Sequence, residues 1–214
     1  MFDRLEILKH KGFSPKFIVD VGAHLGNFAL ECKNIWPDTD IHMFEANPHA
    51  EDTLRAIGFK YNIALLSDKI GIPQTYYMTD KWVLSSGNSM YRENTYDFDD
   101  SHLITTELIS DTLDNILFTE NRSIDLFKLD TQGSEINILN GAKSLLHKTK
   151  YILIECSVYE YNLGGCLVGD VFSFMNDHNF KLDDLVDIQY LQDGVVLNQM
   201  DLLFINTKYV NSNV

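Results

Sequence analysis

Basic residues are scarce in this chain: 17 Lys and Arg stand against 31 Asp and Glu over 214 residues, a net charge of −14. Such a surface repels a phosphate backbone, so no nucleic-acid substrate is expected, and no docking on anionic membranes. Cysteine is nearly absent. Cys32, Cys156 and Cys166 show neither metal-ligand spacing nor a paired framework, and Cys32 and Cys156 read as buried thiols. No stretch approaches 18 consecutive apolar residues, so no membrane insertion is expected. No apolar run follows a basic start, which argues against a signal peptide. Four prolines, no repeats and no low-complexity tract leave no obvious linker. The expectation is a single domain over residues 1–214, in a reducing cytoplasm, with enough chain for a real core.

What the chain does have is alternation of strand and helix. Strands are expected over 17–21, 40–45, 60–65, 124–130, 151–155, 180–186 and 201–205, with helices over 27–36, 49–57, 112–117, 134–146 and 168–178. Residues 1–16 read as a lead-in. Residues 66–110 read as an insertion, with β-rich pieces near 75–78 and 102–106 around a polar segment, 85–101, suited to a lid. Gln192-Asp193-Gly194 has hairpin character and predicts an antiparallel end to the sheet. The fold class expected is α/β, a doubly wound, mostly parallel seven-stranded sheet with an antiparallel end strand.

The stretch Asp20-Val21-Gly22-Ala23-His24-Leu25-Gly26-Asn27 follows an apolar strand and opens a helix. A glycine turn of this kind places backbone N–H groups at the strand's carboxyl end, as in nucleotide-type sites. Glu45 closes the next strand 23 residues beyond Gly22, where such folds hold a ribose by its hydroxyls. His24 stands where a dinucleotide site needs its middle glycine, so a pyrophosphate is disfavoured. A ligand without phosphates fits better, and S-adenosylmethionine is one. Asp20 suits its cationic amino-acid end.

Five landmarks then occur in order: the glycine stretch through Phe28, Phe44-Glu45-Ala46-Asn47-Pro48, Asn62-Ile63-Ala64-Leu65, Thr112-Leu113-Asp114, and Lys128-Leu129-Asp130-Thr131-Gln132-Gly133-Ser134-Glu135. Across about residues 17 to 160 the chain resembles the FkbM family of S-adenosylmethionine-dependent methyltransferases. The resemblance implies a class I (Rossmann-like) methyltransferase sheet and, usually, O-methylation of small molecules or sugars. It also shows departures. The family usually carries Asn at His24, an acid at Gln132 and a small hydroxyl residue at Ala29.

Methyl transfer to a hydroxyl needs a positioned donor and a proton acceptor. Asp130 and Glu155, both at strand ends, are the candidates for the catalytic acid–base role. The expected cofactor residues are Asp20, Gly22, Ala23, His24, Gly26 and Asn27 in the loop, Glu45 and Ala46 after the second strand, Asn62 and Ala64 as an adenine wall, and again Asp130. Glu135 reads as a first-turn helix acid. Ser86, Asn88 and Ser89 can close over the site, and Tyr159, Tyr161 and Gly164-Gly165 can wall the acceptor. His102, His147 and His178 lack metal spacing with carboxylates, so no metal is assigned. The expected partner is a small-molecule or glycan hydroxyl acceptor. Competing readings are a non-catalytic module that keeps the cofactor fold, set apart by product formation, and an NAD-dependent oxidoreductase, set apart by cofactor titration.

Overall fold

Phe17, Val19 and Val21 face one side of their strand and Ile18 and Asp20 the other, yet all five are buried. A strand covered on both faces lies inside a parallel sheet with helices on each side. The computed structural model describes residues 1–191 and 194–210, and it shows that arrangement. In chain order the elements are α1 Phe2–His10, β1 Phe17–Val21, α2 Asn27–Ile35, β2 Asp40–Glu45, α3 Glu51–Ile57, β3 Lys60–Ile63, β4 Leu65–Leu66, β5 Pro73–Thr79, β6 Leu103–Asp111, α4 Leu113–Ile116, β7 Ile124–Leu129, α5 Glu135–Asn140, α6 Lys143–Leu146, β8 Thr149–Ser157, α7 Val168–Asp177, β9 Phe180–Leu191 and β10 Val196–Asn206.

The main sheet runs β3-β2-β1-β7-β8-β10-β9. Its first five strands are parallel, and β10 lies antiparallel between β8 and β9. The seven-stranded, mostly parallel sheet with an antiparallel end is therefore present. Of the expected hairpin, Gln192 and Asp193 lie outside the described residues. One face packs Val19, Phe127 and Ile152 against α4 to α7 through Leu113, Ile138, Leu139 and Met175. The opposite face packs Ile18, Met43 and Leu126 against α1 to α3 through Leu5, Phe28, Cys32 and Leu54. Each such aliphatic side chain contributes about 1.5–3 kcal/mol on burial.

The structure differs from the sequence reading in several elements. The lead-in contains a helix, α1, whose Leu5 and Leu8 are buried and whose Arg4 Nη2 donates to Asp184 Oδ1 of β9 at 2.6 Å. The strand expected over 60–65 is two short ones, and β4 leaves the main sheet to pair with β6 in a small sheet ordered β4-β6-β5. The helix expected over 134–146 breaks at Gly141, where a Cβ would overlap the Ser67 carbonyl and where the glycine carbonyl accepts from Asp114 N. No helix among the described residues is long and apolar enough to cross a membrane.

Candidate active site

The chain leaves β1 for β2 on one side and later returns to β7 on the other, so β1 and β7 flank the topological switch point of the sheet. Crevices outside the carboxyl ends of strands open there. A cavity of about 390 Å³ occupies this place, walled by the β1–α2 loop, the ends of β2 and β7, and the insertion between β4 and β6.

Gly22 begins the loop at φ +75°, and any Cβ on it would overlap the Asp130 carbonyl, so only glycine lets the β1 and β7 ends meet so closely. The loop's first N–H groups are not offered to a ligand. Those of Gly22 and Ala23 both donate to Phe44 O at 3.0 Å, and His24 N donates to Glu45 Oε2 at 2.7 Å. Gly22, Ala23, His24 and Asn27 line the cavity, whereas Gly26 does not.

Glu45 faces the cavity with 8% of its surface exposed. Its Oε1 accepts from Asn47 N at 2.8 Å. Burial pushes its pKa up, and the N–H groups of Asn47 and His24 hold it back. Each carboxylate oxygen has a further lone pair, so two hydroxyl groups can still be accepted. Ala46 and Ala64 line the wall beside it, together with Leu65, Leu66, Tyr76 and Met90. Asn62 does not line the cavity. Its Oδ1 is 2.7 Å from Nε2 of His42, whose pKa burial pushes down to about 4.

Asp20 is placed differently from expectation. It is fully buried behind the wall, and neither of its oxygens has a hydrogen-bond partner among the described residues. Lys128 is interposed: its Nζ lies 3.5 Å from Asp20 Oδ1 and 3.2 Å from Asp130 Oδ2, and it donates to Gly22 O at 3.1 Å. Burial pushes the Asp20 pKa up against the pull of Lys128. Burial also disfavours the Lys128 ammonium, but the charges of Asp130 and Asp20 outweigh it and raise its pKa. Asp130 is thus the carboxylate at the end of β7 that the cavity meets, with a third of its side chain exposed.

Glu155 does not line the cavity. Its Oε1 accepts from Gln132 Nε2 at 2.6 Å and from Gln199 Nε2 at 2.8 Å. Burial, with Asp130 and Asp201 adding, pushes its pKa well above the carboxylate range. Asp201 pairs opposite it on β10, its own pKa pushed up to about 7 by burial and then by Asp130. Glu135 is the buried first-turn acid of α5. It accepts from Thr131 N at 2.8 Å and Gly133 N at 3.0 Å and so shapes the β7–α5 loop.

The polar segment of the insertion does close over the cavity. Ser86, Asn88 and Ser89 line it, and Ser89 Oγ donates to Thr131 O at 3.0 Å. Asn47 Nδ2 donates to Val83 O at 2.6 Å. His24 Nε2 lies 2.6 Å from Leu84 O, so that nitrogen carries the proton, a carbonyl being only an acceptor. His24 and Gln132 both hold left-handed backbone, at φ +51° and +56°, at a cost of about 1–3 kcal/mol each. Strain of this kind gathers at working sites. Tyr159, Tyr161, Gly164 and Gly165 are not on the wall; the Tyr161 hydroxyl donates to Glu93 Oε1 at 2.9 Å instead. Among the described residues no three His, Cys, Asp or Glu side chains are arranged to hold a metal.

Lys128 and Gln132 were both visible as members of a motif, but nothing in the sequence said that they would stand between carboxylates. The apolar wall from Leu65, Leu66 and Met90 had no signal, because it arises from the β4 crossover.

The methyltransferase FkbM domain model matches residues 20–182. The chain belongs to the FkbM methyltransferase family. The methyltransferase FkbM of Methylobacillus flagellatus is similar in structure, with TM-score 0.52 and 15% identity over 90% of this chain and 43% of that one. This FkbM chain therefore spans less than half the length of that protein. TrmK of M. capricolum, solved with S-adenosyl-homocysteine, gives TM-score 0.50 and 13% identity over 93% of this chain and 66% of that one. A putative tRNA (m1A22) methyltransferase of Streptococcus pneumoniae gives 0.51 and 11% over 98% and 72%. At such identities these likenesses show the class I methyltransferase fold and no more. No curated protein matches the chain.

Proposed function

We propose that this FkbM-family chain is an S-adenosylmethionine-dependent O-methyltransferase acting in the cytoplasm on a hydroxyl of a small molecule or sugar. The observation that carries the reading is one cavity bordered by the Gly22 loop, the Glu45 carboxylate and the Asp130 carboxylate. Its volume of about 390 Å³ falls within the range usual for small-molecule sites, about 300–1,000 Å³.

The cavity's residues fit that cofactor part by part. Glu45, with a free lone pair on each oxygen, accepts from the two ribose hydroxyls. Ala64, Leu65 and Leu66 offer an apolar wall to the adenine. Asp130, next to Gly22, takes the place expected for Asp20 and meets the cationic end. When bound, S-adenosylmethionine would supply a sulfonium methyl group, the O–CH3 bond forming as the S–CH3 bond breaks and S-adenosylhomocysteine leaves. Asp130 would also be the carboxylate in place to take up the acceptor's hydroxyl proton on a remaining lone pair, with the Glu155 carboxyl linked behind it through Gln132. An anionic acceptor is disfavoured. Among the described residues Lys128 is the only Lys or Arg on the cavity wall, and it is already shared between two carboxylates. That feature and the net charge of −14 disfavour nucleic acid.

Titration calorimetry tests the reading, with NAD as control and the Glu45→Ala protein alongside. Binding of S-adenosylmethionine in the micromolar range is expected, and the variant should weaken it about 10- to 100-fold, the loss of hydrogen bonds to a charged group. Binding of NAD in its place would return the chain to the oxidoreductase reading. Binding without methyl transfer to any of a panel of hydroxyl compounds would favour the non-catalytic module.

A further inference from the structure

Gln132 lies in the loop between β7 and α5, and its side chain turns in between two carboxyl groups. Its single amide nitrogen is 3.2 Å from Asp130 Oδ1 and 2.6 Å from Glu155 Oε1. An amide nitrogen carries two protons, so it can donate to both at once. Its oxygen lies 3.5 Å from Gln199 Nε2, the other donor to Glu155. The second oxygen of Asp130 lies 3.2 Å from the Lys128 ammonium. Both oxygens of Asp130 are thus tethered by different side chains, while its carboxylate still borders the cavity. Lys128 alone would hold one oxygen of Asp130 and leave the other without a side-chain donor among the described residues. Gln132 holds this place on a left-handed backbone, at φ +56°.

We propose that Gln132 is the positioning residue for Asp130: its amide ties Asp130 to Glu155 and so fixes the direction in which the Asp130 carboxylate meets the cationic end of bound S-adenosylmethionine. This rests on the methyl-donor reading given above. The charged groups that face the pair are Lys128 of β7, Asp20 of β1, Glu135 of α5 and Asp201 of β10. Further out are Asp187 of β9 and the Met1 amino group, which pair with each other at 3.0 Å. Lys128 is already divided between Asp20 and Asp130. A third carboxyl at position 132 would meet Asp130 and the already raised Glu155 with no spare cation, so a second of the three would be held protonated to higher pH.

The test is the affinity for S-adenosylmethionine, measured by titration calorimetry across pH about 5 to 9, for the wild type and three variants. Gln132→Leu keeps the bulk and removes both donations; an affinity loss of about 5- to 10-fold is expected, the value of about one hydrogen bond. Gln132→Glu should move the pH dependence of affinity upward by about one pH unit. Gln199→Leu removes the other donor to Glu155 but leaves the Asp130 tether, and should stay within about twofold of wild type at every pH. Equal losses in Gln132→Leu and Gln199→Leu, with a Gln132→Glu profile that superposes on wild type, would overturn the proposal and leave Gln132 as packing. A wild type that binds no S-adenosylmethionine would overturn the cofactor reading beneath it, and the proposal with it.

Discussion

Lys128 carries its charge almost wholly out of water, and two carboxylates make that tolerable. One of them, Asp20, is fully buried and has no other polar partner among the described residues. Truncating the lysine therefore exposes the aspartate's desolvation in full. In Lys128→Met the Asp20 carboxyl, already pushed up by burial, would take up a proton rather than stay charged. A loss of about 3–5 kcal/mol in urea denaturation is expected, and Asp20→Asn in the same protein should recover most of it. A single variant as stable as wild type would show that the pair is not coupled. Individual residues were legible where position along the chain decides their role. Glu45 reaches the cavity because it ends β2 beside the Gly22 loop, and that spacing is written in the sequence. Asp20, Asn62 and Glu155 also stand at or near strand ends, but what intervenes is tertiary. Lys128 covers the first, His42 takes up the second and Gln132 screens the third.

The segment between β5 and β6 is anchored on β5, where Tyr77 and Ser89 exchange backbone hydrogen bonds, and on residues 161–163, through Asn94 and Arg92; over the cavity itself three strand-end loops fasten it. Asn47, after β2, holds Val83; His24, after β1, holds Leu84; Ser89 holds the loop after β7. Flap loops that cover binding sites belong to the parts of a protein that open locally, below the global unfolding free energy. Asn47→Ala removes one tie and also the side-chain acceptor for His49 N at the turn before α3. Faster amide hydrogen exchange over about residues 82–90 is expected, by roughly 5- to 10-fold for one lost bond, with β1 and β7 unchanged. Unchanged exchange in the flap would mean that this tie does not hold it. The flap's polar composition made it legible as a connector able to close. The elements around it were less so. Helix 134–146 reads as continuous by periodicity, and its break at Gly141 comes from the Ser67 backbone arriving from the insertion. β4 left the main sheet for β6, a pairing over more than forty residues of chain that no local pattern encodes.

The whole molecule carries more acid than it can pair, and part of that acid is inside. Alternating strand and helix made the doubly wound sheet legible before any coordinate, because covering both faces demands near-continuous apolar strands. The same burial sets a pH dependence that composition alone does not reveal. Asp201 is buried on β10, and its pKa is pushed from 3.8 up to about 7 by burial and by Asp130. Between those values the unfolded chain has released the proton while the folded chain keeps it. The unfolded state then binds fewer protons, so stability falls as pH rises through this window and the loss is complete above the folded value. Asp20, Glu45 and Glu155 are raised chiefly by burial and act in the same direction. His42 opposes them: its folded pKa of about 4 lies below its ordinary 6.5, so its contribution is gained as pH rises between the two. Comparing wild type with Asp201→Asn removes the Asp201 contribution, with the share that Asp201 adds at Glu155, and leaves the rest common to both proteins. The variant should gain stability relative to wild type by about 2–3 kcal/mol more at pH 8 than at pH 5, read from urea midpoints at the two values. A difference that stays constant with pH would show that Asp201 ionises in the folded protein as freely as in the unfolded chain, and would leave the buried acid of the molecule to Asp20, Glu45 and Glu155.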